Sequence, residues 1–281
     1  MNALMLGLIA ALCWGIHDVT IRYLSSRVPI LAALMTVLFV GAAFQFAALL
    51  ATGSTFWSHG SGLALSLASG VAFLIASLGL YFAFERGPVR LVAPLIASYP
   101  ILSIGFAMMS GATITFAQGL AVLAIIAGVG LVAALSEDDP ESVPAFGPTI
   151  ALSVISAIGF ASTFKLGQMA AEWSGELATT LTARLTALLL LAAIIISRRA
   201  PAWPGKAALF PLTVMGILDG IALIAVISAA PLKNPEYAAV ASSTFGLLTV
   251  VLAWGFLRER MSLPQWSGCL IAFAGIGYLA L

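Results

Sequence analysis

Apolar residues run along this chain in long blocks separated by short polar clusters. Ten blocks of about 20 residues stand out, roughly 3–24, 29–51, 61–84, 91–110, 115–135, 147–170, 175–197, 206–230, 236–257 and 263–281. Each is apolar on all sides, and each is about twice the 9–11 residues that a spanning strand needs. A helix of that length also pairs its own backbone groups, as the lipid interior demands. The pattern therefore predicts ten membrane-crossing helices. The breaks are Ser25 to Pro29, Thr52 to Gly62, Glu85-Arg86-Gly87-Pro88 and Gly111-Ala112-Thr113 in the first half. Loops this short imply antiparallel neighbours. The most polar stretch, Ser136 to Pro144, lies at the middle of the chain. Met1–Leu12 carries no Lys or Arg and runs on into Ile21, so it reads as a first membrane helix rather than a cleaved leader.

Composition agrees. Of 281 residues 62% are hydrophobic and only 8% charged, with a formal net charge of +1. So few charges cannot coat a soluble domain of this size. No basic face exists for nucleic acid. Cys13 and Cys269 sit in apolar runs without metal or redox spacing, and no cofactor or metal is expected. No Walker A, GxSxG or HExxH motif occurs, which argues against direct ATP drive and against hydrolase chemistry. An intramembrane hydrolase and a passive channel are the rival readings. The hydrolase lacks a motif, and the channel lacks a traceable polar stripe.

The two halves resemble each other. A shift of 147 residues lays Pro88 on Pro235, Gln118 on Gln265, and Ala127-Gly128-Val129-Gly130 on Ala274-Gly275-Ile276-Gly277. Gly15 meets Gly159 at a slightly smaller shift. The expected organisation is a five-helix repeat over 1–135, an acidic linker over 136–146, and a second five-helix repeat over 147–281. Five is odd, so the second repeat enters the membrane the other way up. Inverted repeats of this kind mark carriers, whose sites lie near the bilayer midplane.

The five-plus-five pattern, the Trp14-Gly15 pair and the stretch Leu257-Arg258-Glu259-Arg260-Met261-Ser262…Gln265-Trp266-Ser267-Gly268…Ala274-Gly275 resemble the EamA-like branch of the drug/metabolite transporter superfamily. One departure is that Ser110 to Thr115, the matching place in the first half, lacks the Glu that the family often carries. The resemblance implies export or exchange of small metabolites, amino acids among them, across the cell membrane. A subgroup exporting aromatic and other apolar amino acids is the first guess. Partners implied are a small-molecule substrate and the bilayer, with the protein a monomer or homodimer.

Charge at membrane depth is expensive, so Asp18, Lys165, Arg184 and Asp219 need reasons. Asp219 lies between Gly216 and Gly220, a GxxxG that permits close helix approach. It is either a proton or amine site or the partner of Arg184 or Lys165. Arg184 could hold a substrate carboxylate, but a packed structural role is favoured. Lys165 can reach a membrane edge. Trp14, His17 and Asp18 share one helical face. Histidine is the side chain whose ordinary charge change falls near neutral pH, which makes the His17-Asp18 pair a candidate proton relay. Uncharged groups are the stronger substrate candidates. Ser98 and Tyr99 sit between Pro94 and Pro100, and Ser242, Ser243 and Thr244 occupy the equivalent place in the second half. Two irregular polar stretches at mid-depth point to a carrier site. Tyr81, Phe160, Ser162 and Thr163 join it if their helices face inward. Trp57, Trp173, Trp203 and Trp266 fit an interfacial belt. Arg22, Arg27, Arg86, Arg90, Arg198, Arg199, Lys206, Arg258 and Arg260 follow odd-numbered segments. The positive-inside rule then puts the termini outside, whereas the family resemblance implies termini inside.

Overall fold

The computed structural model describes residues 2–54, 60–109, 115–135, 146–232 and 235–279. Among them there are helices and no strands. The helices are α1 (Ala3–Leu24), α2 (Ile30–Thr52), α3 (Gly60–Arg86), α4 (Val89–Ala97), α5 (Pro100–Met109), α6 (Phe116–Ala134), α7 (Phe146–Ser174), α8 (Glu176–Arg198), α9 (Lys206–Ile227), α10 (Glu236–Ser242), α11 (Phe245–Leu252) and α12 (Leu263–Leu279). A π-helical turn, Ala253–Leu257, extends α11. Trp57, Lys233, most of the acidic linker and the stretch 110–114 lie outside the described residues.

Seven of the ten expected segments are long and apolar enough to cross a membrane: α1, α2, α3, α7, α8, α9 and the run Tyr237–Leu257. Of the other three, Val89–Leu102 is a shorter apolar helix interrupted at Ser98-Tyr99, α6 has 19 residues and α12 has 17 among the described residues.

Two expected helices are broken, each at its polar centre. The first stops at Ser98-Tyr99, where Pro100 disfavours helical geometry in the residue before it and then opens α5. The second stops at Ser243-Thr244. There the hydroxyls of Ser242, Ser243 and Thr244 all donate to carbonyls three residues back, at 2.8, 2.6 and 2.7 Å. The Ser98 hydroxyl does the same to Leu95 at 2.7 Å. Such local bonds compete with the helical ladder.

The packing is interleaved. α1 lies on α9 and on α10 and α11, while α7 lies on α3 and on α4 and α5. α3 packs on α8 as α9 packs on α2, and α6 packs on α12. Exchanging the first five segments with the last five turns each of these interfaces into another of the same set.

The match reaches single residues. A Cβ on Gly128 would strike Gly268 and Ala272, and a Cβ on Gly275 would strike Ala121 and Ile125. Those two sets are related by the same 147-residue shift. The glycine runs thus bring α6 and α12 together within one chain. Both helices also open with a capping box. Gln118 Oε1 accepts from Thr115 N at 2.8 Å, and Gln265 Oε1 accepts from Ser262 N at 2.9 Å. Gly216 and Gly220 press α9 against Val40 and Phe44 of α2.

Candidate functional site

α1 supplies the centre of the molecule. Trp14, His17 and Asp18 face inward, all less than a tenth exposed. The Trp14 indole N–H donates to Asp219 Oδ1 at 2.9 Å, tying α1 to α9. His17 Nδ1 is 2.8 Å from Asp18 Oδ1, and its Nε2 is 3.1 Å from the Tyr81 hydroxyl on α3. Asp219 Oδ2 accepts from Arg184 Nη1 at 2.7 Å. Arg184 Nε donates to Gln45 Oε1 on α2 at 3.1 Å. A buried charge is tolerable only when paired and hydrogen-bonded. Arg184, fully buried on α8, is held through Nε to α2 and through Nη1 to α9, while its Nη2 has no hydrogen-bond partner among the described residues.

Aromatic rings enclose this network. Trp14 stacks on Phe164 at a centroid distance of 5.5 Å and meets Phe160 and Phe245 at 6.3 Å each. Tyr99 lies edge-on to Phe164 at 5.3 Å. Its hydroxyl donates to the Ala239 carbonyl at 2.8 Å and is hydrogen-bonded to Ser242. The two broken helices are thereby joined at their breaks. Phe73 and Tyr81 complete seven rings around a cavity that also exposes His17, Asp18, Ser77 and Asp219. The space left between them is about 20 Å³, about one water molecule's worth. Side chains fill the site and leave no room for a solute larger than water.

A second cluster of polar contacts lies one turn beyond Asp18 on α1. Arg22 Nε donates to Glu259 Oε1 at 3.2 Å, and its Nη1 donates to the Phe84 carbonyl at 2.8 Å. Glu259 Oε2 accepts the Val89 backbone N–H at 2.9 Å, which caps the start of α4. Arg90 Nη1 reaches the Arg260 carbonyl at 3.0 Å. One carboxylate so holds the end of α1 and the start of α4 to the segment before α12, and Arg22 ties the end of α3 to them. A carboxylate at a helix N-terminus is favourably placed.

Several expected site residues meet at the cavity: Trp14, Tyr81, Tyr99, Phe160, His17, Asp18 and Asp219. Arg184 stands behind it, 5.2 Å from the Phe73 ring centre. Ser98, Thr163, Ser242, Ser243 and Thr244 are not among the lining residues. Their hydroxyls have nearer partners in their own helices, as for Thr163, which donates to the Gly159 carbonyl at 2.8 Å. Ser162 likewise donates to Ile158. Lys165 is exposed on the outer face of α7. Of the two partners considered for Asp219, the structure pairs it with Arg184.

Phe73, Ser77, Phe164, Phe245 and Gln45 escaped the sequence reading. Apolar helices give no sign of which rings face inward. Gln45, buried in the middle of an apolar run, carried a legible signal because an amide at membrane depth needs a partner.

A model of the EamA-like transporter family matches residues 1–134 and 147–281 of the chain. No curated protein matches it. Among solved structures, one described only as "Crystal structure of protein" is similar, with a TM-score of 0.73 and 18% identity over 99% of this chain and 96% of its own. At that identity the likeness speaks to the fold alone.

Proposed function

The chain belongs to the EamA-like transporter family, and from that premise we propose that it exports or exchanges small metabolites, amino acids foremost, by alternating access through the aromatic cavity. It is a multi-pass membrane transporter of the drug/metabolite transporter superfamily. The observation that carries the mechanism is the cavity's position. Trp14, His17, Asp18 and Tyr99 come from the first half, and Phe160, Phe164, Asp219 and Phe245 from the second. A site held between two halves opens to one side or the other as the halves rock.

The exchange symmetry of the packing, the paired capping boxes and the matched glycine contacts support two inverted five-helix repeats, 1–135 and 147–281, joined by the linker over 136–146. On this reading ten segments cross the cell membrane. The Glu259 clamp is the closed gate on the arginine-rich side. His17 is the proton carrier, because both its ring nitrogens have partners, in Asp18 and Tyr81. Asp219, itself held by Arg184, supplies the other nearby charge. A proton on His17 then compensates the Asp18 carboxylate when substrate is absent.

The test is counterflow of radiolabelled amino acids in proteoliposomes, with and without an imposed pH gradient. Saturable exchange of at least one aromatic or aliphatic amino acid is expected, faster with a gradient. A protein that retains its fold and moves no member of the panel would refute the proposal. Cysteine labelling of both termini should place them on one side of the membrane, with Arg22 and Glu259 facing the other.

A further inference from the structure

The charges of the cavity are arranged asymmetrically, and this bears on which end of a substrate is read. Two carboxylates, Asp18 and Asp219, line it, whereas the Arg184 guanidinium does not. Arg184 is fully buried and stands behind Phe73, with Nη1 on Asp219 and Nε on Gln45; its Nη2 has no hydrogen-bond partner among the described residues, but the side chain does not line the cavity. Asp219 has partners on both oxygens, from Trp14 and Arg184. Asp18 does not. It is 1% exposed and its Oδ1 is held by His17, but its Oδ2 has no hydrogen-bond partner among the described residues. A buried carboxylate oxygen left unpartnered is costly, so the site is short of one donor. Electron-rich faces of Trp, Tyr and Phe around it favour a cation and disfavour an anion.

Resting on the transport reading above, we propose that the cavity recognises the ammonium group of its substrate through Asp18 and the aromatic rings, and makes no use of a substrate carboxylate. The transported class is then primary amines with an apolar or aromatic body, of which amino acids are the carboxylated members. Entry of an ammonium beside Asp18 replaces the charge that protonated His17 supplies. The groups facing His17 are Asp18 on its own helix, Tyr81 on α3 and, across the cavity, Asp219 with Arg184. Amine binding therefore releases a proton.

Three probes of one shape separate the alternatives: 2-phenylethylammonium, phenylalanine and 3-phenylpropionate. Isothermal titration on the full chain in detergent, repeated in two buffers of different ionisation enthalpy, reads affinity and proton release together. The amine and phenylalanine should bind within a few-fold of each other, and the acid at least about tenfold more weakly, the scale of one lost charge-assisted bond. Asp18→Asn should abolish the preference for the amine while Lys165→Gln, exposed on the outer face of α7, keeps it. Because the comparison is made on the unaltered protein, it stands even if Asp18→Asn does not fold. Equal or tighter binding of the acid overturns the inference. So does exchange of phenylalanine by protein that neither binds nor carries the amine, an outcome that leaves the transporter reading intact. A folded protein that counterflows none of the three or any other amino acid overturns the transport reading itself.

Discussion

Replacing Arg184 by Met removes the cation from a fully buried pair and leaves Asp219 with one donor, the Trp14 indole. Breaking a buried pair from one side costs about 3–5 kcal/mol, because the survivor is an uncompensated charge. A second estimate comes from the escape route. The carboxyl can take up a proton, and for a group that in water ionises near 3.9 this costs about 4 kcal/mol at pH 7 and about 1.5 kcal/mol at pH 5. The two estimates agree at neutral pH, and the second gives a sign. The folded variant then holds a proton that the unfolded chain lacks, so its deficit grows as pH rises and shrinks as pH falls. Removing both charges, in Arg184→Met with Asp219→Asn, should return stability to within about 2 kcal/mol of the parent, the remainder being two weakened hydrogen bonds. Denaturant unfolding in mixed micelles at pH 5 and pH 7, run on parent, both single variants and the double, measures the cycle. The reasoning fails if Arg184→Met unfolds like the parent at pH 7, or if the double variant is no better than the single.

Three further expectations are open to direct measurement. Gly128→Val and Gly275→Val should each destabilise by about 1–3 kcal/mol through overpacking of α6 on α12; thermal melts that differ greatly between the two would contradict the equivalence of their contacts. Glu259→Gln loosens the clamp on Arg22 and Val89, a partly exposed pair worth about 1 kcal/mol. It should speed maleimide labelling of Ser77→Cys about fivefold, in a background lacking Cys13 and Cys269; an unchanged rate means the clamp does not gate the cavity. Tyr99→Phe loses the bond to the Ala239 carbonyl and should cost about 1 kcal/mol, while Ser242→Ala added to it costs little more; full additivity of the two would show that they do not act as one unit.

The contrast between the two broken helices and their hydroxyls shows how far sequence reading carries. Pro94 and Pro100, with the Ser242-Ser243-Thr244 run, marked two irregular stretches at mid-depth, since proline geometry and hydroxyl-to-carbonyl bonds act within a few residues of chain. The same locality misled on the hydroxyls themselves. A Ser or Thr that breaks its helix has by that act used its proton, so Ser243 and Thr244 are bonded to their own segment and do not line the cavity. Tyr99, too long to bond its own turn, reaches across to α10 instead.

The chain alone determined its solvent, because the length of each apolar block and the scarcity of charge leave no other place for it than a bilayer. It also carries a 147-residue register, which the Gln118 and Gln265 caps and the paired glycines follow. Which rings meet was decided only in three dimensions. In a helix apolar all round, periodicity carries no direction, so nothing local separates Phe164 in the cavity wall from Phe210 on the outer face. The partner of Asp219 was likewise a tertiary matter: Lys165 and Arg184 offer the same charge, and only the crossing of α8 with α2 and α9 brings Arg184 to it.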